Sequence, residues 1–158
     1  MIDMPRYLRQ PPRIKILEAL GAIADNRIRF IDDNRAEVIS SDGTRRYIVI
    51  VDYDKRRVYS NDNGTRLRGY IGYPIIAFLM RKGVLPYDER LAQALKGIPW
   101  KKLNEKYKKY AVVEEIVKKN ALEKGVMPVE LDQFVEKSMK ILRSLKLVFD
   151  ERLVDGEV

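Results

Sequence analysis

The sequence predicts an α+β fold: an N-terminal helix, an antiparallel meander of about four strands, a buried helix packed on that sheet, and a C-terminal helical part. Apolar residues first recur at a helical spacing, and then at the spacing of two that is typical of strands. Beyond residue 73, Pro and Gly separate apolar segments of helix length. This order of periods indicates an open sheet covered by helices.

The first helix is predicted after Arg13, where apolar residues recur every three positions. They form one helical stripe and are Ile14, Leu17, Leu20 and Ile23. Residues 1–12 contain three prolines. We expect that segment to be an extended lead-in to the helix.

Four strands are predicted over residues 27–31, 35–40, 45–53 and 56–60, and polar turns join them. The turn Ser41-Asp42-Gly43 is a strong hairpin signal, because Gly accepts the positive φ that a tight turn needs. In the longest strand, Tyr47, Val49, Val51 and Tyr53 lie on one face, because side chains alternate along a strand.

Five helices are predicted after the sheet, over residues 74–82, 88–96, 99–107, 112–124 and 128–145. The first is apolar on nearly every face, which is typical of a buried helix. A boundary near residue 98 divides the chain into an α+β domain, 1–98, and a helical extension, 99–158, unless the two parts pack as one domain. Residues after 149 are expected to fray.

The composition restricts the chemistry, because the chain has no Cys and no His. Thiolate and imidazole catalysis are excluded, and zinc loses its two commonest ligand types, so we expect no metal and no cofactor. No run approaches the ~20 apolar residues of a membrane span, and the N-terminus lacks a signal peptide. We therefore expect a cytoplasmic protein. The many charged residues favour a thermophilic, archaeal source.

Two short segments flank a polar stretch: Tyr59-Ser60-Asn61 ends a predicted hairpin, and Tyr73-Pro74-Ile75 begins the predicted buried helix. In this outline residues 45–82 resemble a SWIM domain, a ββα zinc module with the pattern C-x-C, a spacer, and C-x-H. The four ligand positions hold Tyr59, Asn61, Tyr73 and Ile75, which are not zinc ligands. The resemblance implies that packed side chains replace the ion, and that the segment contacts nucleic acid or protein.

Basic residues are the candidate binding residues, because the net charge is +8 and 14 of the 16 arginines precede residue 98. Arg forms forked contacts with phosphates and stacks on bases. The candidate nucleic-acid-binding residues are Arg45, Arg46, Arg56, Arg57, Arg66 and Arg68, together with Lys102, Lys106 and Lys109 on the helix after Pro99.

We therefore expect a non-catalytic module that associates with DNA or RNA and not with a membrane, and we assign no catalytic residue. One alternative is a protein-interaction or oligomerisation module, in which Leu142, Leu145, Leu147, Val148 and Phe149 form a homodimer seam. A second alternative is a Mg²⁺-dependent nuclease that uses Asp52 and Asp54, which share one strand face.

Overall fold

The computed structural model describes residues 5–156 and confirms the α+β class. One six-stranded sheet has the order β1-β6-β5-β4-β3-β2. Its strands are β1 (Arg6–Tyr7), β2 (Ile28–Phe30), β3 (Arg35–Ile39), β4 (Arg46–Asp52), β5 (Arg57–Ser60) and β6 (Val148–Phe149).

Seven α-helices accompany the sheet within residues 5–156, and a 3₁₀ helix, Glu151–Asp155, follows β6. The helices are α1 (Ile14–Ala24), α2 (Asn63–Arg66), α3 (Tyr73–Arg81), α4 (Glu89–Ala94), α5 (Trp100–Tyr107), α6 (Tyr110–Glu123) and α7 (Pro128–Leu145). All of the predicted helices are present, whereas α2 was not predicted. None of the helices in this part of the chain is long and apolar enough to cross a membrane.

The strand count of four was wrong, although the antiparallel meander β2 to β5 matches the four predicted strands. Strand β6 pairs parallel to β5 and antiparallel to β1. Both additional strands are two residues long, so neither can show a period of two. They form because segments that are far apart in the sequence pair with each other. Strand β1 lies in the N-terminal segment that was expected to be an extended lead-in, and β6 follows α7.

Helix α3 packs on one face of the sheet, which we call the inner face, and α1 packs on α3. Strand β4 contributes Val49 and Val51 to the inner face, and both are almost fully buried. A single cluster of buried apolar residues includes members on both sides of residue 98, among them Trp100 and Leu142. The domain division at residue 98 stays a prediction.

The expectation of a frayed tail was wrong for residues 150–156. Leu153 is only 3% exposed, and its 3₁₀ helix packs against β4 and β5. Asp150 fixes this segment, because its carboxylate accepts hydrogen bonds from the Arg152 backbone and from Arg57, both at 3.0 Å. The rest of the predicted tail, residues 157–158, lies outside the described residues.

Candidate functional site

A cleft of about 570 Å³ opens between α1, α5 and the segment that connects β5 to α3. Its volume is within the range of small-molecule sites, which is roughly 300–1,000 Å³. Charged and amide side chains line it together with aromatic rings.

The deepest charged group of the cleft is Glu18, which is only 3% exposed although it lies on the apolar helix α1. Its Oε1 accepts hydrogen bonds from Lys15 Nζ at 3.0 Å and from Asn104 Nδ2 at 2.7 Å. Burial by itself lowers the pKa of Lys15, but the neighbouring Glu18 carboxylate outweighs burial and the pKa is raised. Lys15 and Glu18 thus form an ion pair at the inner end of the cleft.

A second buried acid, Asp62, caps the N-terminus of α2. Its carboxylate accepts hydrogen bonds from the Thr65 backbone at 3.0 Å and from the Ser60 hydroxyl at 2.5 Å. Burial raises the pKa of Asp62 despite these hydrogen bonds. The carboxylate also lies against the backbone of Gly72, where no side chain fits. Gly at this position thus allows the start of α3 to approach the cap of α2.

Tyrosines form the aromatic wall of the cleft. The rings of Tyr47 and Tyr73 meet edge to face, with their centroids 6.1 Å apart. Burial raises the pKa of both phenols. It also raises the pKa of Tyr70, and the adjacent Tyr110 hydroxyl adds to this effect. These phenols therefore stay protonated at neutral pH and can donate hydrogen bonds.

Cations surround the mouth of the cleft. Arg68 and Lys108 are exposed, and neither forms an ion pair with any other residue between 5 and 156. Lys101 differs, because its Nζ lies 2.7 Å from Glu105 and 3.4 Å from Asp42. The cleft thus has the Glu18–Lys15 pair and Asp62 inside, and at its mouth two cations that have no acidic partner among residues 5–156.

A family model described as uncharacterised conserved protein UCP014422 matches residues 8–148, which include every element that builds the cleft. The chain belongs to this family. No curated protein and no solved structure matches the chain significantly.

The SWIM resemblance was wrong, because the match is to this family and no SWIM-type match accompanies it. The geometry gives the physical reason. Tyr59 pairs with Ile50 on the outer face of the sheet and packs on Phe149, with ring centroids 5.6 Å apart. Tyr73 contacts Tyr47 on the inner face. The side chains of Tyr59 and Tyr73 therefore lie on opposite faces of the sheet and cannot together replace one bound ion.

The predicted arginines differ in their surroundings. Arg46 and Arg57 lie at opposite ends of the β4–β5 hairpin, where Arg46 is 3.8 Å from Glu37 and Arg57 is 3.0 Å from Asp150. Arg56 donates to the Leu145 carbonyl. The remaining candidates, Arg45, Arg66 and Arg68, are exposed, and Arg68 lines the cleft.

Helix α5 presents a different face to the cleft from the one that the sequence suggested. Lys101, Asn104 and Lys108 line the cleft. Lys102, Lys106 and Lys109 are exposed elsewhere on this helix and at its end, and their role in binding stays a prediction. The spacing of three and four residues between positions 101, 104 and 108 was an available signal, as was the single acid within α1.

Most residues of the two alternative functions have structural roles, whereas Asp54 lies in the exposed turn after β4 and not on the strand face it was expected to share with Asp52. The residues proposed for a dimer seam pack inside the chain, and four of the five, Leu142, Leu147, Val148 and Phe149, are at most 8% exposed. Asp52 accepts a hydrogen bond from the Lys55 backbone at 3.2 Å, as in a turn. No cluster of three acidic side chains that could hold a metal occurs in residues 5–156.

Proposed function

We propose that this protein is a non-catalytic module that binds single-stranded nucleic acid across the mouth of the cleft. The observation that carries the proposal concerns the two rim cations, Arg68 and Lys108, at the mouth of the cleft. Both are exposed, and neither has an acidic partner in the described chain. Exposed cations without internal partners can exchange their counterions for phosphates at little cost.

The walls of the cleft support a single strand over a duplex. Tyr47 and Tyr110 are partly exposed and line the same cleft as the rim cations. Proteins that bind single strands combine a basic groove with aromatic rings on which bases stack, and this stacking requires unpaired bases. The net charge of +8 adds a general attraction for polyanions.

Titration of fluorescent single-stranded DNA, single-stranded RNA and duplexes by anisotropy tests the proposal. We expect dissociation constants on the order of micromolar for single strands, with affinity falling steeply as salt increases. Flat titrations at low salt with every probe would overturn the proposal.

Two charge-matched double variants locate the surface. Arg68→Ala with Lys108→Ala should weaken binding and make the slope of log K against log salt less steep by about 1.4, since each contact contributes about 0.7 on a single strand. Lys102→Ala with Lys106→Ala removes the same charge from another face of α5 and should leave the slope nearly unchanged. The reverse result would place the binding surface on the predicted lysines and not at the cleft.

A further inference from the structure

We propose that the inner end of the cleft is a recognition site for one unpaired guanine base, read by Glu18 and Asn104, while the phosphate of that nucleotide lies on Arg68 and Lys108. This inference deepens the proposed function and rests on it for the phosphate contacts. It adds a base preference to what is otherwise a sequence-independent surface.

The charged groups of the cleft differ in how exposed they are, and this difference orients a ligand. Glu18 and Asp62 are 3% and 6% exposed, whereas Arg68 and Lys108 are exposed. A phosphate is attracted by the exposed rim cations, whereas at the inner end it would lose its hydration beside Asp62 and a Glu18 carboxylate that Lys15 already pairs. The charged end of a nucleotide therefore stays outside, and its neutral base is the part that enters.

The inner end offers hydrogen-bond acceptors that lack donors. Asn104 Oδ1 is buried and has no hydrogen-bond partner. The orientation of this amide follows from chemistry, because its Nδ2 must face the Glu18 carboxylate to which it donates. Glu18 Oε2 also accepts no hydrogen bond from the residues that the structure describes, since both donors bind Oε1. Buried acceptors are nearly always satisfied, so the unpaired Asn104 Oδ1, together with the free Oε2 of Glu18, suits a ligand with donors.

Guanine meets this requirement better than the other bases. Its Watson–Crick edge carries two adjacent donors, the N1–H and the exocyclic N2 amino group, whereas uracil offers a single N–H on the same edge. A carboxylate beside an amide oxygen can accept both donors of guanine. Enzymes and binding proteins that extrude a base read it by such hydrogen bonds to its Watson–Crick edge together with stacking.

A cationic ligand is a weaker candidate, because a cation already occupies the site. Lys15 Nζ lies 3.0 Å from Glu18 and 5.0 Å from the centre of the Tyr110 ring. A second buried cation would be repelled by Lys15 and would have to be desolvated as well. A neutral base edge avoids both costs and brings an aromatic face to the wall of Tyr47 and Tyr73.

The single tryptophan, Trp100, lines the cleft and gives a direct readout of occupancy. We suggest titrating the protein with GMP, IMP, AMP and UMP while following Trp100 fluorescence, with calorimetry as a second measurement. IMP differs from GMP only by lacking the 2-amino group. We expect GMP to bind about tenfold more tightly than IMP, since buried acceptors left without a donor are costly.

Variants test the assigned atoms. Glu18→Gln should remove most of the preference for GMP over IMP, and Arg68→Ala should weaken all four nucleotides by a similar factor. Because Glu18 pairs with Lys15, its variant could fold poorly, so Asn104→Ala provides a second test that leaves that pair in place. Lys119→Ala, on the exposed surface of α6, is the control, and circular dichroism melting verifies folding.

Oligouridylates that contain one guanosine or one inosine distinguish a strand from a free nucleotide. A guanosine preference in the strand supports both proposals. Equal affinity for all nucleotides, or an unchanged preference in folded Glu18→Gln and Asn104→Ala, overturns the base site even if strands still bind. A preference for GMP without any strand binding retains the base site and overturns the proposed binding of single strands.

Discussion

The Asp62 carboxylate lies so close to Gly72 that a methyl group added at position 72 would be 2.1 Å from Asp62 Oδ2. This contact joins the cap of α2 to the first residues of α3, and Gly72 donates its backbone N–H to the Thr65 hydroxyl at 3.0 Å. One wall of the cleft therefore depends on a glycine because of the space it leaves and not because of its backbone angles, since its φ is −73°.

Gly72→Ala should destabilise the fold by about 1–3 kcal/mol, because overpacking at a buried site forces the backbone or the carboxylate to move. Urea unfolding measures this loss. Asn63→Ala, at an exposed position of the same segment, is the matched control. If Gly72→Ala unfolds at the wild-type urea concentration, the close contact with Asp62 is wrong.

Asp62 should make stability depend on pH, because burial raises its pKa in the folded state above the ordinary value of 3.8. The folded protein then binds the proton more tightly than the unfolded chain does. The contribution of Asp62 is thus fully present below pH 3.8 and is lost as pH rises through the folded pKa, with a slope of at most about 1.4 kcal/mol per pH unit.

Asp62→Asn cannot titrate, so the unfolding free energy of the wild type minus that of the variant should decrease as pH rises above 3.8. Urea titrations between pH 3 and 8 provide the comparison, and Asp54→Asn on an exposed turn serves as the control. A difference that increases with pH would mean that the hydrogen bonds from Ser60 and Thr65 outweigh burial.

Leu153→Ala should cost about 2–5 kcal/mol of stability, the usual range when a buried leucine is truncated. Leu153 is 3% exposed, whereas its neighbour Val154 is 54% exposed. Val154→Ala should therefore change stability by no more than about 0.5 kcal/mol. Equal effects of the two substitutions, measured by urea unfolding, would show that the 3₁₀ helix does not pack on the sheet.

Glu130 should titrate near pH 2, because hydrogen bonds from Arg90 and from the Met127 backbone lower its pKa to about 2. This carboxylate favours the folded state above its ordinary pKa of 4.5, and the contribution is lost as pH falls towards 2. In Arg90→Met the pKa of Glu130 should move upwards, and NMR titration of the carboxyl carbon would detect the shift.

The Met127 hydrogen bond remains in that variant, so the pKa of Glu130 should stay below 4.5. Lys119→Met, on the exposed surface of α6, is the control for a general loss of positive charge. An unchanged Glu130 titration in Arg90→Met would show that the Arg90–Glu130 contact is not formed in solution.

The sequence was sufficient to predict those helices and strands whose residue pattern depends only on neighbouring positions. The alternation in β4 and the apolar stripe of α1 required only neighbouring residues, and both elements were predicted close to their observed bounds. Helix α2 lies in the segment that the sequence presented only as a polar stretch, because Asn63-Gly64 is a turn signal and the Asp62 cap that holds the helix depends on burial.

The cleft could not be predicted, because its inner groups come from three separate parts of the chain. Glu18, Asp62 and Asn104 lie on or beside α1, α2 and α5, and no local spacing indicates that these elements meet. The single acid of α1, Glu18, and the spacing of residues 101, 104 and 108 were the local signals. A buried carboxylate in α1 requires partners, although the sequence does not say which residues provide them.

Strand β6 lies between β1 and β5, so the last of the six strands in chain order completes the interior of a sheet whose other strands are synthesised long before it. Until Val148 and Phe149 emerge, β5 presents an unpaired edge to the cell. Such an edge is a template for pairing with other chains. Translational pausing before this strand should therefore increase aggregation of the nascent protein, and swift completion of the chain should protect it.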